Sequence, residues 1–361
     1  MTPAAVQMQV NPQLEAFYAN RLKLAPPATR AKIEALQAEA RQKGLSYSIG
    51  YTTASDLSLQ QLTGAREPSG QMQRAPQQNA FAVEAMQIDA AEAMKFHVGP
   101  IILACNAGSA AFDWRTLGKV TPIKNQGACG SCWDFAAIAA YESSYAIRNN
   151  VMINVSEQHI LDCAGAGTCA GGWYMPVWDW MLTHKVVATA TLPYTAHDAA
   201  CPAGLAGLYK DVAWGWVAPG GAVPTVAQMK AALCAHGPLA VAMQIWENDK
   251  HYTGGIMNDG PTTAYNHAVT IVGWDDAKHA WLVKNSWGPG WGISGYFWIA
   301  YGANNIGYHA AWVQAPSNKF IISPKLLDVI AKYKLIPIPV PGPGPGPDPI
   351  RPMQNMQQMQ H

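Results

Sequence analysis

The chain has 361 residues, of which only 13% are charged, and its formal net charge is +1. That balance excludes the basic footprint of a nucleic-acid binder and a polybasic membrane patch. No apolar run approaches the roughly 20 residues that a bilayer span needs, and Met1-Thr2-Pro3-Ala4-Ala5-Val6-Gln7 lacks the basic start and apolar core of a recognisable signal peptide.

Residues 1–106 read as a region of their own. Pro26-Pro27 precede Thr29, a predicted N-cap. Ile33, Leu36 and Ala40 then share one helical face, and Gly44 is the expected stop. Leu45, Tyr47, Ile49 and Tyr51 alternate with Ser46, Ser48, Gly50 and Thr52, a half-buried strand. This strand is expected to pair within its own small domain, addition to an exposed sheet edge being the alternative. A short helix is predicted over Ser55–Thr63, ended by Gly64. Residues 66–78 read as a polar linker, and a second helix runs from about Phe81 to Phe96 with Val83, Met86 and Ala90 on one side.

The segment Gln126-Gly127-Ala128-Cys129-Gly130-Ser131-Cys132-Trp133 sets a cysteine after a Gly/Ser-rich turn and before a helical pattern. A thiol at a helix N-terminus has its thiolate favoured by the helix dipole. Far downstream, His267 heads the strand-like run Ala268-Val269-Thr270-Ile271-Val272-Gly273, and Asn285 lies in Lys284-Asn285-Ser286-Trp287-Gly288. Trp274-Asp275-Asp276-Ala277-Lys278 has turn chemistry, so a hairpin is expected to bring His267 and Asn285 together. Cys132 is the candidate nucleophile, His267 its proton partner and Asn285 the orienter of the imidazole. Asp134 stands two residues beyond the cysteine. It is expected to be a helix-stabilising acid bonded to a neighbouring loop, damping of the thiolate being the alternative.

These spacings, together with Asp113-Trp114-Arg115, the run Val120 to Gly127, Ser156-Glu157-Gln158, Asp162-Cys163, Gly171-Gly172 and Gly288-Pro289-Gly290-Trp291-Gly292, resemble the papain-like cysteine peptidases. The resemblance runs from about Ala111 to Ala315. It implies an α+β fold of two subdomains with the cleft between them. The first, from about Ala111 to Pro219, would be mostly helical, and the second, from about Gly220 to Ala315, a twisted antiparallel sheet or barrel. It implies that Gln126 and the Cys132 backbone N–H form an oxyanion hole. It implies disulfides Cys129–Cys169 and Cys163–Cys201, with Cys132 free, while Cys105 and Cys234 either pair or stay free. Gly171, Gly172, Trp173, Tyr174, Ala242, Tyr265, Asn266, Ala268 and Trp287 would meet substrate. Of these, Trp173, Tyr174, Ala242, Tyr265 and Ala268 would line the pocket for the residue two before the scissile bond, with no charge at its base and a preference for apolar or aromatic side chains. Ala170 departs from the asparagine usual before the glycine pair.

The implied activity is that of a cysteine endopeptidase made as a zymogen, monomeric, acting on polypeptides through a thioester, with residues 1–106 as intramolecular inhibitor, a permanent accessory domain being the alternative, and 107–315 as peptidase domain. No cofactor, metal or membrane span is implied. A peptide ligase or transpeptidase on the same site, and a silent papain-like binding protein, are the rival readings. The cysteine pairs imply an oxidising destination such as secretion, with a cytoplasmic one left open. Residues 316–336 read as a short extension with a helix from Pro324 to Ala331. Residues 337–361 read as a stiff Pro/Gly linker and a Met/Gln-rich disordered tail.

Overall fold

The computed structural model describes residues 11–95, 105–218, 222–317 and 324–333. The predicted Pro/Gly linker, the Met/Gln tail and the first seven residues lie outside them. Among the described residues, no helix is long and apolar enough to cross a membrane.

The N-terminal region opens with α1 (Pro12–Leu24), capped by the Asn11 side chain, and α2 (Pro27–Lys43). Pro27 occupies the first turn of α2, so the helix begins before Thr29 and the predicted cap is corrected. Proline suits that place because its missing N–H would have no intrahelical partner there. Gly44, at φ 66°, ends the helix as expected. Strand β1 (Tyr47–Ile49) does not pair within its own region. It adds antiparallel to β7 (Tyr252–Met257), with Tyr47 opposite Gly255. The close approach depends on glycine, since a Cβ at Gly255 would stand 2.5 Å from the Ser46 carbonyl oxygen. The Tyr47 hydroxyl then bonds Asp249 and Asp259.

Helix α3 (Leu59–Leu62) is shorter than predicted, because Ser58 and Gln61 form a capping box that starts it late. Residues 66–78 are no linker: Gln71 and Gln78 are buried, and Arg74 pairs with Asp179 at 2.8 Å. Helix α4 (Ala75–Lys95) begins earlier than predicted and buries Phe81, Ala82, Ala85 and Asp89, while Val83 is exposed. The apolar pattern misled because a charged residue belongs to the inner face: Asp89 pairs with Arg148 and accepts from Gln314.

Strand β2 (Ala111–Asp113) enters the enzyme domain, and α5 (Cys132–Asn149) forms its axis. Helices α6 (Glu157–Cys163) and α7 (Tyr174–Met181), with a ribbon of β3 (Gly167–Thr168) and β4 (Gly171–Gly172), complete the helical half. Then come β5 (Ala213–Trp216), α8 (Val226–His236), β6 (Leu239–Met243), β7, β8 (His267–Asp275), β9 (Ala280–Lys284), β10 (Tyr296–Ala300) and β11 (Tyr308–Gln314). The sheet runs β1-β7-β10-β9-β8-β6-β11-β5, with β2 against β8. Its end strands do not pair among the described residues, so the sheet is open rather than a barrel, and β10–β7 is parallel. Strands β2 and β5 fall within the expected, mostly helical half yet join this sheet. Finally α9 (Pro324–Tyr333) buries Leu326 and Val329, and Tyr333 meets Phe81 of α4 edge to face.

Candidate active site

Cys132 is the first residue of α5 and is wholly buried. The other cysteines form three disulfides, Cys129–Cys169, Cys163–Cys201 and Cys105–Cys234, which leaves Cys132 free and resolves the open pairing of Cys105 and Cys234. Cys129–Cys169 and the bond from Gly130 N to Cys169 O (2.9 Å) clamp the loop before the helix onto the glycine ribbon. Residue 132 is thereby fixed from both sides.

His267 begins β8 and Asn285 directly follows β9, and these strands pair with Thr270 opposite Lys284. His267 Nε2 bonds Asn285 Oδ1 at 2.8 Å. The Trp287 ring lies 4.8 Å from the imidazole, and Trp291 packs edge to face on Trp287. These rings keep water from the His–Asn bond. His267 Nδ1 is buried and without a hydrogen-bond partner. Ala268 N–H donates to Cys132 Sγ at 3.4 Å, so the end of β8 sits directly on the sulfur.

A buried ionic network aligns these parts. Lys124 Nζ donates to Glu142 at 2.8 Å and to Glu157 at 2.6 Å, which ties the loop before Gln126 to α5 and α6. Lys284 donates to the carbonyl and hydroxyl of Thr121, which ties the residue before Asn285 to the same loop. Gln126 is held by Ser286 Oγ donating to its Oε1 (2.7 Å), while its Nε2 donates to Cys129 O (2.8 Å) and to Leu62 O (3.2 Å).

Leu62 belongs to the N-terminal region, which threads the whole site. Its carbonyl also accepts from Trp287 Nε1 at 3.2 Å. Gly64 and Ala65 N–H both donate to Asn266 O at 2.9 Å, Gly172 N–H donates to Gly64 O, and Arg66 N–H donates to Gly172 O. The segment thus runs beside β4 with Ala65 paired to Gly172 in the parallel sense. Bare backbone is required there, since a Cβ on Gly172 would meet the Ala166 carbonyl oxygen at 2.5 Å. Enclosure under this segment pushes the Cys132 thiol up to about 12, against the N–H groups of Ala268, Gly64, Trp133 and Ala65 that oppose the shift. Burial likewise lowers His267 to about 4. Burial therefore favours the neutral form of both thiol and imidazole while the segment is in place.

The aromatic pocket gathers Trp173, Tyr174, Tyr265 and two residues that sequence reasoning missed, Tyr308 and His309. Trp173 stacks on Tyr174, and its ring meets Tyr265 and His309 edge to face at 5.7 and 5.4 Å. Ala242 and Ala268 pair across β6 and β8, and Tyr308 lies opposite Ala242. Glu67 of the N-terminal segment reaches in, its Oε2 lying 3.2 Å from His309 Nε2. The expectation was of no charge at the base of this pocket; a histidine, His309, stands there. The only sequence signal was one histidine in the apolar strand Tyr308–Gln314.

Asp134 is also corrected. It is wholly buried, and neither carboxyl oxygen has a hydrogen-bond partner. Desolvation, reinforced by Glu157, holds it well above the carboxylate range. Helix α5 is enclosed on almost every side, so an acid in its first turn meets interior rather than a solvated loop.

Residues 108–315 match the family described as papain family cysteine protease. Ananain of Ananas comosus is 37% identical over 195 residues, 53% of this chain and 55% of that protein. Fruit bromelain of the same plant is 34% identical over 201 residues, and the chain spans about half the length of these relatives. Digestive procathepsin L2 from Tenebrio molitor larval midgut has a TM-score of 0.63 at 25% identity, covering 86% of this chain and 96% of that one. The recombinant stem bromelain precursor has a TM-score of 0.61 at 27% identity, covering 86% and 95%. Residues 108–315 alone cannot supply such a share, so the likeness extends into the N-terminal region.

Proposed function

Since the chain belongs to the papain family of cysteine proteases, we propose that it is a cysteine endopeptidase made as a zymogen, in which residues up to about 104 are the inhibitor. The observation that carries this reading is the free Cys132 at the head of α5, against the strand end where Asn285 holds His267. Once the segment leaves, the thiol proton passes to His267, and the resulting pair is favoured by the dipole of α5. The thiolate attacks the peptide carbonyl. The developing oxyanion is met by Gln126 Nε2, the donor that now holds Leu62 O, and by the Cys132 N–H. His267 protonates the departing amine and then draws a proton from the water that hydrolyses the thioester. Asn285 keeps the imidazole in register through both steps.

The Cys105–Cys234 bond and the hydrogen bonds from Asp276 N to Ala110 O and from Trp274 Nε1 to Ser109 O hold residues 105–110 to the enzyme domain. Processing is therefore expected between Lys95 and Cys105, upstream of the expected boundary at 107. Three disulfides suit an oxidising compartment. Incubation of the full chain under mildly reducing conditions, followed by intact-mass analysis, tests the reading. It should yield a product beginning before Cys105 that hydrolyses peptides and is labelled on Cys132 by a thiol-directed epoxide. Persistence of activity in Cys132→Ala would overturn it.

A further inference from the structure

Among the aromatic side chains, the Tyr308 hydroxyl and His309 Nε2 both come within 3.4 Å of one oxygen of Glu67. Trp216 Nε1 donates to His309 Nδ1 at 3.3 Å. An indole nitrogen can only donate, so Nδ1 must be the accepting nitrogen, and the proton of a neutral imidazole lies on Nε2. That Nε2–H is buried and has no hydrogen-bond partner, Glu67 included. It faces Glu67 Oε2 at 3.2 Å, and the Tyr308 hydroxyl donates to the same oxygen at 3.4 Å. A buried donor is thus left unpaired beside a carboxylate, a state that natural interiors avoid and that a better-placed carboxylate oxygen would relieve.

The backbone is bent to make this possible. In a regular strand, neighbouring side chains point to opposite faces. Here β11 is irregular between Tyr308 and Ala311, and His309 sits at φ 51°. A histidine in the left-handed region is uncommon. The break in alternation lets two consecutive side chains reach one oxygen. Tyr174 holds the bend by donating its hydroxyl to His309 O at 2.7 Å, while Tyr265 stacks on Tyr308 and Trp173 walls the ring.

We infer that this pocket takes a carboxylate, and that the enzyme prefers peptides with glutamate two residues before the scissile bond, with His309 and Tyr308 as the specificity-determining residues. Glu67 of the N-terminal segment occupies the place of that side chain. A carboxylate oxygen accepts both donors, whereas leucine or phenylalanine would strand them. The inference rests on the peptidase reading and on the assignment of the Trp173 pocket to that substrate position.

The test uses the full chain, processed by itself or by added pepsin. Two peptide amides are compared, identical except for Glu or Leu two residues before the reporter amine. A charge-assisted bond to a buried donor predicts kcat/KM for the Glu peptide at least about tenfold above the Leu peptide. His309→Leu should reverse that order, and Tyr308→Phe should narrow it. Should His309→Leu not fold, the ratio in the unaltered enzyme decides, and His309→Gln, which keeps a donor, should retain the Glu preference. Equal or faster cleavage of the Leu peptide overturns the inference and leaves the peptidase reading standing. If neither peptide is cleaved and an epoxide fails to label Cys132, the peptidase reading falls and the inference with it.

Discussion

Gly64 lies so close over Gly130 that a Cβ on Gly64 would stand 1.8 Å from the Gly130 carbonyl oxygen. No side chain can give way there, because the obstacle is backbone. It is backbone that the Cys129–Cys169 bridge holds in place. The crossing of the N-terminal segment over the nucleophile loop therefore depends on one missing methyl group.

Gly64→Ala should lift the segment from Cys132 while leaving the enzyme domain folded. The two N–H donors to Asn266 O, the Gly172 N–H bond to Gly64 O and the Arg66 N–H bond to Gly172 O would be lost together. The full-length variant should be labelled by a thiol-directed epoxide at least about tenfold faster than the unaltered chain, a difference of about 1.4 kcal/mol in docking. An unchanged labelling rate would mean that the segment does not depend on this crossing.

Gln126→Ala removes the donor proposed for the oxyanion and leaves Ser286 Oγ without its acceptor. Loss of one such donor costs about 2.7–4 kcal/mol in the transition state, or roughly 100–1000-fold in kcat. The processed variant should show that fall in kcat with little change in KM. A change confined to KM would assign Gln126 to binding alone.

The juxtaposition of Cys132, His267 and Asn285 was legible in the sequence because these residues lie in blocks whose local context is distinctive. Cys132 follows a glycine turn, His267 heads an apolar strand, and Asn285 precedes a tryptophan–glycine motif. The N-terminal region was read less well for one reason: it does not fold around its own core. Ser46 to Ile49 alternate as a strand should, but the partner, Gly255, lies some two hundred residues away. Residues 66–78 looked like a linker because their polar side chains reach partners in the enzyme domain, Arg74 pairing with Asp179 and Gln78 Nε2 donating to Trp214 O. His309 was missed for the opposite reason. Its role comes from a backbone irregularity that no residue type in β11 announces.

Asp134 supplies a stability prediction. Its folded pKa is raised well above the carboxylate range by burial, so the folded state keeps a proton that the unfolded state releases above about 3.9. Stability from this group therefore falls as pH rises beyond that value. Asp134→Asn keeps the shape without the ionisation. It should raise Tm by a few °C at pH 7, corresponding to about 1 kcal/mol, and leave Tm unchanged near pH 3. Equal effects at both pH values would point to packing rather than charge.

His251 links acidity to release of the N-terminal region. It is buried with Nδ1 2.8 Å from Ser55 Oγ, and the Thr52 hydroxyl bonds the adjacent Lys250 O. Burial first, then Lys250 and Lys32, lowers it to about 4, against Glu247 and Asp56. Once the segment departs, the imidazole can take up a proton near its ordinary value. Acidification from about 6.5 to 4 thus weakens docking, by up to tenfold per pH unit. The Cys132–His267 pair adds little to this slope, because its proton only moves from sulfur to nitrogen. His251→Gln should flatten the pH dependence of Cys132 labelling in the full chain. A dependence as steep as before would exclude this histidine as its source.

Helix α9 binds the region from the other side. Leu326 and Val329 are buried, Tyr333 packs on Phe81, Lys332 pairs with Glu84 at 2.8 Å, and Gln77 donates to Tyr333 O. The exposed ion pair contributes little. The two aliphatic side chains and the ring contact are worth several kcal/mol by area, about 1.5–3 for each fully buried aliphatic. Helix α4 is thus held between β5 of the enzyme domain and a helix that follows that domain in sequence. Deleting residues 318–361 should raise amide exchange over 75–95 by at least about tenfold, with strands β8 and β9 unaffected. The N-terminal product should also leave the processed enzyme faster than it does with α9 present. Exchange unchanged over 75–95 would show that β5 alone suffices to hold α4.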